Sequence, residues 1–451
     1  MAGRLLFDVT GLLQWYAYFQ HPSGVQRVTE RLLASKPLCR RPRLEFVARA
    51  LGSDLFFQVD GATLRALAHP DRRAAAVARL RAIFAQSMRL APLQGLRAEA
   101  KYFHLPYIFL GQVGLGSLAE AWFTRQRPRA MPPLHLMPPP DPKDTLFNPG
   151  DFWCHDGYVD ALVGLKHRTG VRLVQFIHDL FVVEHPEWSH PRFGRLLVDG
   201  LVRLAPQVDG WLTNSQFVRD SVAGYLAARA LPDASIAVLP MGWDVRDPTD
   251  RPDHHADHVV LERHGIADKA FILHVGTVEP RKNLVALLDV LAALRLELGS
   301  RVPHCVLVGR DGWKSDSVRQ RLKQTADEGG TLHWFRHVSE NDLAAFYRSA
   351  LFSVVPSHAE GWGLPVQESL VHGVPCIASG AGALRESGRD LAVYADPANP
   401  AEFKAALRAW ITDTAALAAA REQLRHRLGE RHLPTWDEAG EVLLKATAPL
   451  P

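Results

Sequence analysis

The feature that most constrains the fold of this chain is a repeated succession of an apolar run, a glycine-containing or polar loop and a segment at helical spacing. It occurs in RLLFDVTGLL, VRLVQFIHDL, GWLTNSQFVRD, FILHVGTVEPRKN, HCVLVGRDG, LFSVVPSHAEG and PCIASGAG. Such alternation is typical of parallel sheets whose faces are covered by helices. No longer sequence repeat is visible that would indicate a solenoid or a propeller. The sequence therefore predicts an α/β fold.

The chain length and two interruptions of this pattern predict the domain organisation. A chain of 451 residues is long enough for two or three domains. Residues 126–144 are too rich in proline for a helix or a central strand, so we expect an exposed extended loop. Residues 245–258 are polar and contain prolines, as linkers do. We predict two domains, 1–245 and 246–451, which face each other across a cleft, with a terminal helix at 433–446 packing back on the first.

Cysteine usage and hydropathy bear on the cellular compartment. The four cysteines are far apart and form no CxxC pair, so neither a disulfide framework nor a cysteine zinc site is predicted. Neither a signal peptide nor an apolar segment of membrane-spanning length is visible. We expect reduced thiols and a cytoplasmic protein, and a peripheral location at the inner membrane face stays open.

Charge is distributed unevenly along the chain. Residues 1–150 contain 20 Lys and Arg against 10 Asp and Glu, whereas the whole chain contains 52 against 48. Such a basic part suits an anionic partner, such as nucleic acid, an anionic membrane or a phosphate-bearing acceptor, and solvated charge is the alternative. No nucleic-acid-binding motif is visible, so we predict no nucleic acid partner. Residues 74–89 combine apolar positions at helical spacing with arginines, which suits either contact with an anionic membrane or an ordinary packed helix.

The strongest functional signal is HAEGWGLPVQESL at 358–370, which follows an apolar run. Gly361 and Gly363 allow a ligand to approach the backbone closely where a new helix begins, and that helix start favours negative charge. Glu360 and Glu368 supply carboxylates, which accept hydrogen bonds from sugar or ribose hydroxyls. Helix capping and simple solvation are the structural alternatives for the two glutamates. The segment predicts a binding site for a hydroxylated ligand.

A second signal is HVGTVEPRKNL at 274–284, where a strand ends at Gly276 and a helix is expected to begin shortly afterwards. Arg281 and Lys282 lie in the intervening loop. Cations are unfavourable at a helix N-terminus unless an anion binds there. Arginine supplies a planar fork of donors and lysine a point charge. The segment predicts a phosphate site, although not that of a P-loop NTPase, because GxxxxGK[ST] is absent.

Two weaker signals lie in the first predicted domain. His178 and Asp179 follow the apolar run VRLVQFI, so both are expected at the cleft. His178 is suited to donate a hydrogen bond to a sugar hydroxyl, and Asp179 to fix its loop or to take a proton; a lone histidine at a strand end is also often structural. The turn in HPSGVQRV leads into a helix, and Gly24 there would let backbone N–H groups reach a phosphate.

Taken together, these segments resemble the GT-B glycosyltransferases of family GT4. VGTVEPRKNL is similar to that family's phosphate loop, and EGWGLPVQESL is similar to its E-x7-E motif. VLPMGWD at 238–244 resembles the segment that ends the first domain of these proteins. IHDLFVVEHPE resembles the His-Asp segment of members that transfer mannose or rhamnose in bacterial surface polysaccharide synthesis. The resemblance implies a GT-B fold, in which two Rossmann-like domains face each other across a cleft.

The same resemblance implies an activity. This is the retaining transfer of a sugar from a nucleotide diphosphate sugar to an acceptor hydroxyl, without a metal ion or other cofactor. The first candidate donor is GDP-mannose, and the expected acceptor is a saccharide or a polyprenyl-diphosphate-linked chain in bacterial polysaccharide synthesis. A non-catalytic sugar-nucleotide-binding scaffold or sensor is the alternative function.

The resemblance also assigns roles to individual residues. Those expected at the reacting centre are His178, Asp179 and Glu360. Those expected to bind the donor are Gly24, Gly276, Thr277, Arg281, Lys282, Gly361, Gly363, Leu364 and Glu368. Thr277 stands where some members carry a basic residue, so diphosphate binding is expected to depend on Arg281 and Lys282. The segment DHHADH at 253–258 is expected to be a solvated part of the linker, and no metal site is predicted.

Overall fold

A computed structural model describes residues 3–90, 134–150, 152–153, 157–232, 234–244, 254–312, 314–327 and 330–448. All seven predicted apolar runs form strands, and these strands belong to two sheets flanked by helices. The predicted α/β fold is therefore confirmed. Within the described ranges, the helices are too short or too polar to cross a membrane.

The first sheet has seven strands in the order β3-β2-β1-β4-β5-β6-β7. Neighbouring strands are parallel except β3, which is antiparallel to β2. The strands are β1 (Leu5–Asp8), β2 (Leu44–Arg49), β3 (Phe56–Val59), β4 (Thr145–Asn148), β5 (Arg172–Ile177), β6 (Gly210–Thr213) and β7 (Ile236–Val238). The central strands are almost wholly buried, as is usual for a parallel sheet covered on both faces.

Helices cover both faces of this sheet. Alternate residues of β1 belong to different cores, because Leu5 and Phe7 face one cluster and Leu6 faces the other. The helices are α1 (Thr10–Tyr18), α2 (Gly24–Ala34), α3 (Lys36–Arg40), α4 (Gly61–Ala66), α5 (Pro70–Ser87), α6 (Tyr158–Thr169), α7 (Phe181–Glu184), α8 (Pro191–Leu204) and α9 (Gln216–Ala228). Helices α1, α2 and α5 pack in the first cluster, and α6, α8 and α9 pack in the second.

The second sheet has six parallel strands in the order β10-β9-β8-β11-β12-β13. The strands are β8 (Phe271–Val275), β9 (His304–Val308), β10 (Leu332–Phe335), β11 (Ser353–Val355), β12 (Cys376–Ala378) and β13 (Val393–Tyr394). The helices are α10 (His254–Arg263), α11 (Leu284–Leu298), α12 (Asp316–Asp327), α13 (Glu340–Ser349), α14 (Leu364–Val371), α15 (Leu384–Gly388), α16 (Pro400–Thr412), α17 (Thr414–Glu430) and α18 (Trp436–Ala446). We refer to the two sheets with their helices as the first and second halves of the molecule.

The last helix, α18, lies against the first half. Thr435 and Glu438 form a capping box that fixes where α18 begins. Asp437 then accepts a hydrogen bond from the backbone N–H of Lys36 at 2.8 Å, next to the start of α3. Helix α18 therefore forms part of the first half, although it follows the second half in sequence.

The chain runs between the two halves in two stretches, after β7 and before α18, and these two stretches contact each other. The backbone N–H of Trp243 donates to the carbonyl of Pro434 at 2.7 Å. Gly242 lies against Trp436 so closely that a Cβ at Gly242 would stand 2.5 Å from the indole Cγ. The two connections are thereby packed side by side.

The predicted solvated linker is wrong for its last residues. Residues 245–253 lie outside the described residues, but residues 254–258 begin α10. Asp257 is 4% exposed and forms an ion pair with Arg348 of α13. The polarity of DHHADH pointed to a linker because the distant partner of Asp257 is invisible in the local sequence. In the described part of the chain, no group of three or more side chains is arranged to hold a metal ion.

The apolar face predicted within 74–89 is buried in the first half. Val77, Leu80 and Phe84 of α5 are each at most 5% exposed and pack in the same core cluster as α1. The ordinary packed helix, which was the alternative to membrane contact, is the correct interpretation. The membrane hypothesis is therefore wrong for this face, since its apolar side chains are already covered.

The proline-rich stretch 126–144 is described only from residue 134 onwards. Residues 134–144 contain neither a helix nor a strand, apart from an isolated bridge between Leu136 and Phe57. An extended loop is therefore confirmed for 134–144, and the prediction for 126–133 lies outside the described residues.

Candidate active site

The two sheets direct the ends of their central strands towards one cleft. His178 and Asp179 follow β5, the segment 276–283 follows β8, and the segment 356–363 follows β11. The halves touch where a Cβ added to Gly361 would stand 2.4 Å from the backbone oxygen of His178. Open α/β sheets bind ligands beyond the carboxyl ends of their strands. Three of the segments singled out in the sequence therefore meet in one place.

Glu360 lies at the centre of a cluster of charges. Its Oε2 accepts a hydrogen bond from Arg281 Nη1 at 2.7 Å, and its Oε1 accepts one from Lys282 Nζ at 2.5 Å. The hydroxyl of Ser357 donates to the same Oε1 at 2.7 Å. Glu360 is 6% exposed and Lys282 is 7% exposed. Glu360, expected to bind the sugar, therefore contacts Arg281 and Lys282, expected to bind the phosphates. All three residues belong to the second half.

The cluster around Glu360 contains both negative and positive side chains, and each sign stabilises the charge of the other. Burial opposes ionisation of Glu360, but the positive charges of Arg281 and Lys282 outweigh burial and lower the pKa of Glu360 to about 2. Arg281 also donates from Nη2 to Glu279 Oε1 at 2.7 Å. Burial opposes the charge of Arg281, but the two glutamates raise its pKa overall. Because its pKa is so low, the Glu360 carboxylate is a poor proton acceptor and a good acceptor of hydrogen bonds from hydroxyls.

The loop after β8 is fixed to the loop after β11. The backbone N–H of His358 donates to the carbonyl of Arg281 at 2.8 Å, and Arg281 Nη1 donates to the carbonyl of Ala359 at 2.8 Å. Residues Pro280–Lys282 form one turn of 3-10 helix, which ends at Asn283 with φ 53°. Asparagine tolerates this left-handed conformation better than most residues. The local sequence therefore sets the backbone from which both cations extend.

Gly276 and Thr277 lie at the start of this loop. A Cβ at Gly276 would stand 3.2 Å from His274 Nε2 and 3.4 Å from Lys282 Cε. Glycine at this position therefore avoids crowding the side chain of Lys282. Thr277 lies against the loop after β9, because a Cβ at Gly312 would stand 2.6 Å from Thr277 Cγ2. Both residues border the cluster around Glu360 without joining its ion pairs.

His178 is a neutral ring in this environment. Its Nε2 lies 2.8 Å from the carbonyl oxygen of Pro149, so Nε2 carries the proton and donates. Burial lowers the pKa of His178 to about 4, although the bond to Pro149 acts in the opposite direction. With Nε2 engaged, the other nitrogen, Nδ1, has a lone pair. In this tautomer Nδ1 is a hydrogen-bond acceptor, whereas the sequence suggested that His178 donates a hydrogen bond.

Asp179 holds the loop that follows β5. Its Oδ1 accepts a hydrogen bond from the backbone N–H of Phe181 at 3.3 Å, at the start of α7. Burial raises the pKa of Asp179, the nearby charge of Arg281 lowers it, and Glu360 and Glu279 act with burial. Of the two roles considered for Asp179 in the sequence, this contact fits the fixing of its loop.

Contacts that the sequence did not reveal connect the two halves beside this cluster. The hydroxyl of Ser215 donates to the carbonyl of Gly361 at 2.8 Å and also caps α9. The carboxylate of Glu386 accepts from the backbone N–H groups of Gln216 and Phe217, at 2.8 Å each. A carboxylate at a helix N-terminus is favoured by the helix dipole. The only sequence signal was Ser215 after an apolar run, which is typical of a helix cap.

Glu368 lies apart from the cluster around Glu360 and is bound from the other half. Arg27 of α2 forms an ion pair with Glu368 Oε1, and the hydroxyl of Tyr347 donates to Glu368 Oε2 at 3.0 Å. The side chains of Arg27 and Glu368 are 24% and 21% exposed. Arg27 was not singled out in the sequence, because nothing local distinguishes it from Arg31, the other arginine of α2.

The N-termini of α2 and α14 face each other across the cleft. A Cβ added to Gly24 would stand 3.8 Å from Leu364 Cδ1. Neither helix has a side-chain cap or an acidic residue in its first turn. Gly363, before α14, has φ 101°, and a Cβ there would stand 2.6 Å from Leu384 Cδ2. Two uncapped helix starts, each with partial positive charge, therefore converge where Gly24 and Gly363–Leu364 were expected to bind the donor.

Comparison with known proteins places the second half in a family. Residues 261–432 match the family of glycosyl transferases group 1. The O-antigen chain mannosyltransferase B of Escherichia coli is 28% identical over 285 residues, which are 61% of this chain and 69% of that protein. The serotype-specific mannosyltransferase WbdA of Escherichia coli is 27% identical over 278 residues, 60% of this chain but only 32% of WbdA.

Solved structures extend the likeness over the whole chain. Sucrose-phosphate synthase from Thermosynechococcus elongatus matches with a TM-score of 0.59 and 16% identity, over 98% of both chains. HepE of Anabaena, solved in complex with UDP and glucose, matches with a TM-score of 0.58 and 15% identity, over 98% of this chain and 99% of that one. At such identity the likeness concerns the fold, which is GT-B as the resemblance implied. Residues 261–432 thus match glycosyl transferases group 1 within a GT-B fold, and this match and the mannosyltransferase relatives indicate a glycosyltransferase.

Proposed function

We propose that this protein is a retaining, metal-independent glycosyltransferase that moves mannose from GDP-mannose to a hydroxyl of a saccharide or polyprenyl-diphosphate-linked acceptor in bacterial polysaccharide synthesis. The observation that carries the proposal is the buried Glu360, held by Arg281 and Lys282 at the place where the next residue, Gly361, meets the backbone of His178. The mannosyltransferase relatives from Escherichia coli support mannose as the sugar.

In this proposal the diphosphate of the donor lies between Arg281, Lys282 and the two facing helix starts of α2 and α14. The leaving diphosphate gains negative charge as the bond to the sugar breaks. Cationic side chains and helix N-termini that are already in place stabilise such charge without reorganising. Glu360 accepts hydrogen bonds from hydroxyls of the donor sugar, and Glu368 does the same for the ribose.

The reaction breaks the bond between C1 of the sugar and the diphosphate oxygen and forms a bond between C1 and the acceptor oxygen. We propose that the acceptor attacks from the face that the diphosphate leaves, which gives retention. The acceptor proton then passes to the departing phosphate oxygen. Glu360 is poorly suited to take that proton, because its pKa is about 2. His178 orients a hydroxyl through Nδ1, and closure of the two halves excludes water, which favours transfer over hydrolysis.

The test is transfer from a panel of sugar nucleotides, including GDP-mannose and UDP-glucose, to oligosaccharide acceptors, with the anomeric configuration of the product read by NMR. We expect an axial product bond from α-linked GDP-mannose and equal rates with and without EDTA. An inverted anomeric centre, or a rate abolished by EDTA, would contradict retention or metal independence respectively. Donor binding without transfer to any acceptor would favour a non-catalytic sugar-nucleotide-binding protein.

We further propose that the protein works in the cytoplasm and meets a membrane-linked acceptor there. The support is the basic composition of residues 1–150, not the apolar face of α5, which is buried. Flotation with anionic and neutral vesicles tests this part separately, and equal recovery with both vesicle types would contradict a contact with anionic lipid.

A further inference from the structure

A cavity of about 210 Å³ lies between the two halves beside Glu368. Its wall comes from α2, from the end of the β7 segment, from α13, from α14 and from the start of α18. Whole ligand sites usually occupy about 300–1,000 Å³. The volume therefore suits one part of a ligand. If Glu368 binds the ribose of the donor, as the proposed function has it, the neighbouring cavity is where the base of the nucleotide would lie.

The wall contains three carboxylates, and two of them are already engaged. Glu368 is bound by Arg27 and by the hydroxyl of Tyr347. Asp244 forms an ion pair with Arg31 at 3.0 Å. Each of these two carboxylates already holds an arginine, so a base would have to share it with that cation.

The third carboxylate, Glu340, is differently placed. Among the described residues its ion pair is with Arg73, at the limiting distance of 4.0 Å, and its side chain is 44% exposed. Glu340 is the first residue of α13, directly after the cap Ser339, whose hydroxyl accepts from the backbone N–H of Asp342 at 3.1 Å. The cap fixes the backbone of Glu340 at the end of the β10 loop. Both of its carboxylate oxygens remain weakly held at the cavity.

The wall also offers a buried donor without a partner. Gln367 of α14 is 3% exposed, and its Nε2 makes no hydrogen bond in the described structure. A buried amide donor left without a partner costs free energy. Gln367 lines the cavity, but this nitrogen itself is fully covered. Leu343, Leu364 and Val371 supply apolar surface for the faces of a ring.

A carboxylate distinguishes the nucleobases by its two acceptor oxygens. Guanine presents two adjacent donors, N1–H and the N2 amino group, which both oxygens of one carboxylate can accept together. Uracil presents a single N–H between two carbonyl oxygens, so the second carboxylate oxygen would meet an acceptor. Adenine and cytosine place a donor beside an acceptor. A weakly paired carboxylate at the cavity therefore favours guanine over the other bases.

We propose that Glu340 is the residue that selects a guanine nucleotide as the donor. This inference rests on the proposed function, since it assumes that the nucleotide lies beside Glu368. It goes beyond that function by naming the residue that recognises the base.

The test is calorimetric binding of GDP, inosine diphosphate and UDP to the full chain. Inosine diphosphate lacks only the N2 amino group, so it removes one of the two contacts without any mutation. We expect wild-type protein to bind GDP about tenfold more tightly than inosine diphosphate, and UDP more weakly still, since a hydrogen bond to a charged group is lost. In Glu340→Gln, the preference for GDP over inosine diphosphate should shrink at least fivefold, with UDP unchanged.

The matched control is Glu422→Gln, an exposed glutamate of α17 that pairs with Arg425, which should leave all three affinities unchanged. Equal affinity of wild-type protein for GDP and inosine diphosphate, or a preference for UDP, would overturn the role of Glu340 while leaving the transferase proposal intact. Failure of all three diphosphates to bind would overturn the nucleotide site itself. If Glu340→Gln does not fold, the comparison of GDP with inosine diphosphate on wild-type protein still decides the proposal.

Discussion

The two glutamates of the E-x7-E segment differ in what holds them. Glu360 is bound by Arg281, Lys282 and Ser357, all from the second half. Glu368 is bound by Arg27 from the first half and by Tyr347 from the second. The pocket around Glu360 is therefore formed by one half alone, whereas the environment of Glu368 depends on how the halves close. Within one short motif, Glu360 has all of these partners in its own half, whereas Glu368 gains Arg27 only when the two halves are in contact.

Removal of Lys282 should have the largest effect on stability. Lys282→Ala leaves part of the buried charge of Glu360 without a partner, and breaking a buried ion pair costs about 3–5 kcal/mol. Because Arg281 still holds the other carboxylate oxygen, we expect a loss near the lower end of that range. Urea denaturation measures it.

The control for this variant is Lys404→Ala, which removes an exposed ion pair with Glu297 and should cost less than about 1 kcal/mol. A Lys282→Ala protein as stable as that control would show that the cluster around Glu360 does not contribute to folding.

Gly361→Ala should disturb the contact between the two halves without changing any charge at the site. Its Cβ would stand 2.4 Å from the backbone oxygen of His178, and neither half can yield at a backbone atom without opening the cleft. We expect Gly361→Ala to lower the transfer rate about a hundredfold, as small misplacements of reacting groups do, with little change in the urea midpoint.

The matched variant is Gly224→Ala on α9, where an added Cβ meets nothing within 4 Å. If Gly361→Ala transferred sugar at the wild-type rate, the contact between Gly361 and His178 would play no part in the active arrangement.

Arg27→Ala should act on the second glutamate and barely on folding. The pair with Glu368 is partly exposed, so we expect a loss of only about 1 kcal/mol in stability. The two halves should open more often, which small-angle scattering detects as a larger radius of gyration. Arg219→Ala, at an exposed pair with Asp220, should leave the radius unchanged. If Arg27→Ala lost as much stability as Lys282→Ala, the ion pairs of Glu360 and Glu368 would not differ in their contribution to folding.

Acid should lower the free energy of unfolding through Glu360 and His178, whose pKa values are depressed in the folded protein. For Glu360, whose pKa is about 2 instead of 4.5, the stabilisation is complete above pH 4.5 and is lost as the pH falls towards 2. For His178, whose pKa is about 4 instead of 6.5, stability is likewise lost between pH 6.5 and 4, because the buried ring must take up a proton. Urea midpoints across pH 3–7 measure how steeply stability changes with pH. Glu360→Gln should make this dependence flatter below pH 4.5, and His178→Asn should make it flatter between pH 6.5 and 4. Unchanged slopes in both variants would contradict these assignments.

The elements of the fold were predictable because their signals are local. Each apolar run ending in a glycine or polar cluster became a strand, and the side chains that follow those runs, such as His178 and Arg281, lie at the carboxyl ends where parallel strands place them. The prediction failed at Asp257 because its partner, Arg348, is 91 residues away. The same limit hid Arg27 and Glu386, whose partners lie in the other half. Local pattern determines the strands, whereas contacts between the halves depend on packing that no single segment encodes.

The paired connections between the halves restrict how the cleft moves. A single flexible linker would let one half tumble freely relative to the other. Here two stretches of chain cross side by side, joined by the bond from Trp243 to Pro434 and by the close fit of Gly242 against Trp436. Because these contacts tie the described ends of the two connections together, we expect the halves to separate by rotation about them and not by drifting apart. Such a rotation would bring Gly361 back to His178 and Arg27 back to Glu368 together, since both contacts lie between the same two halves.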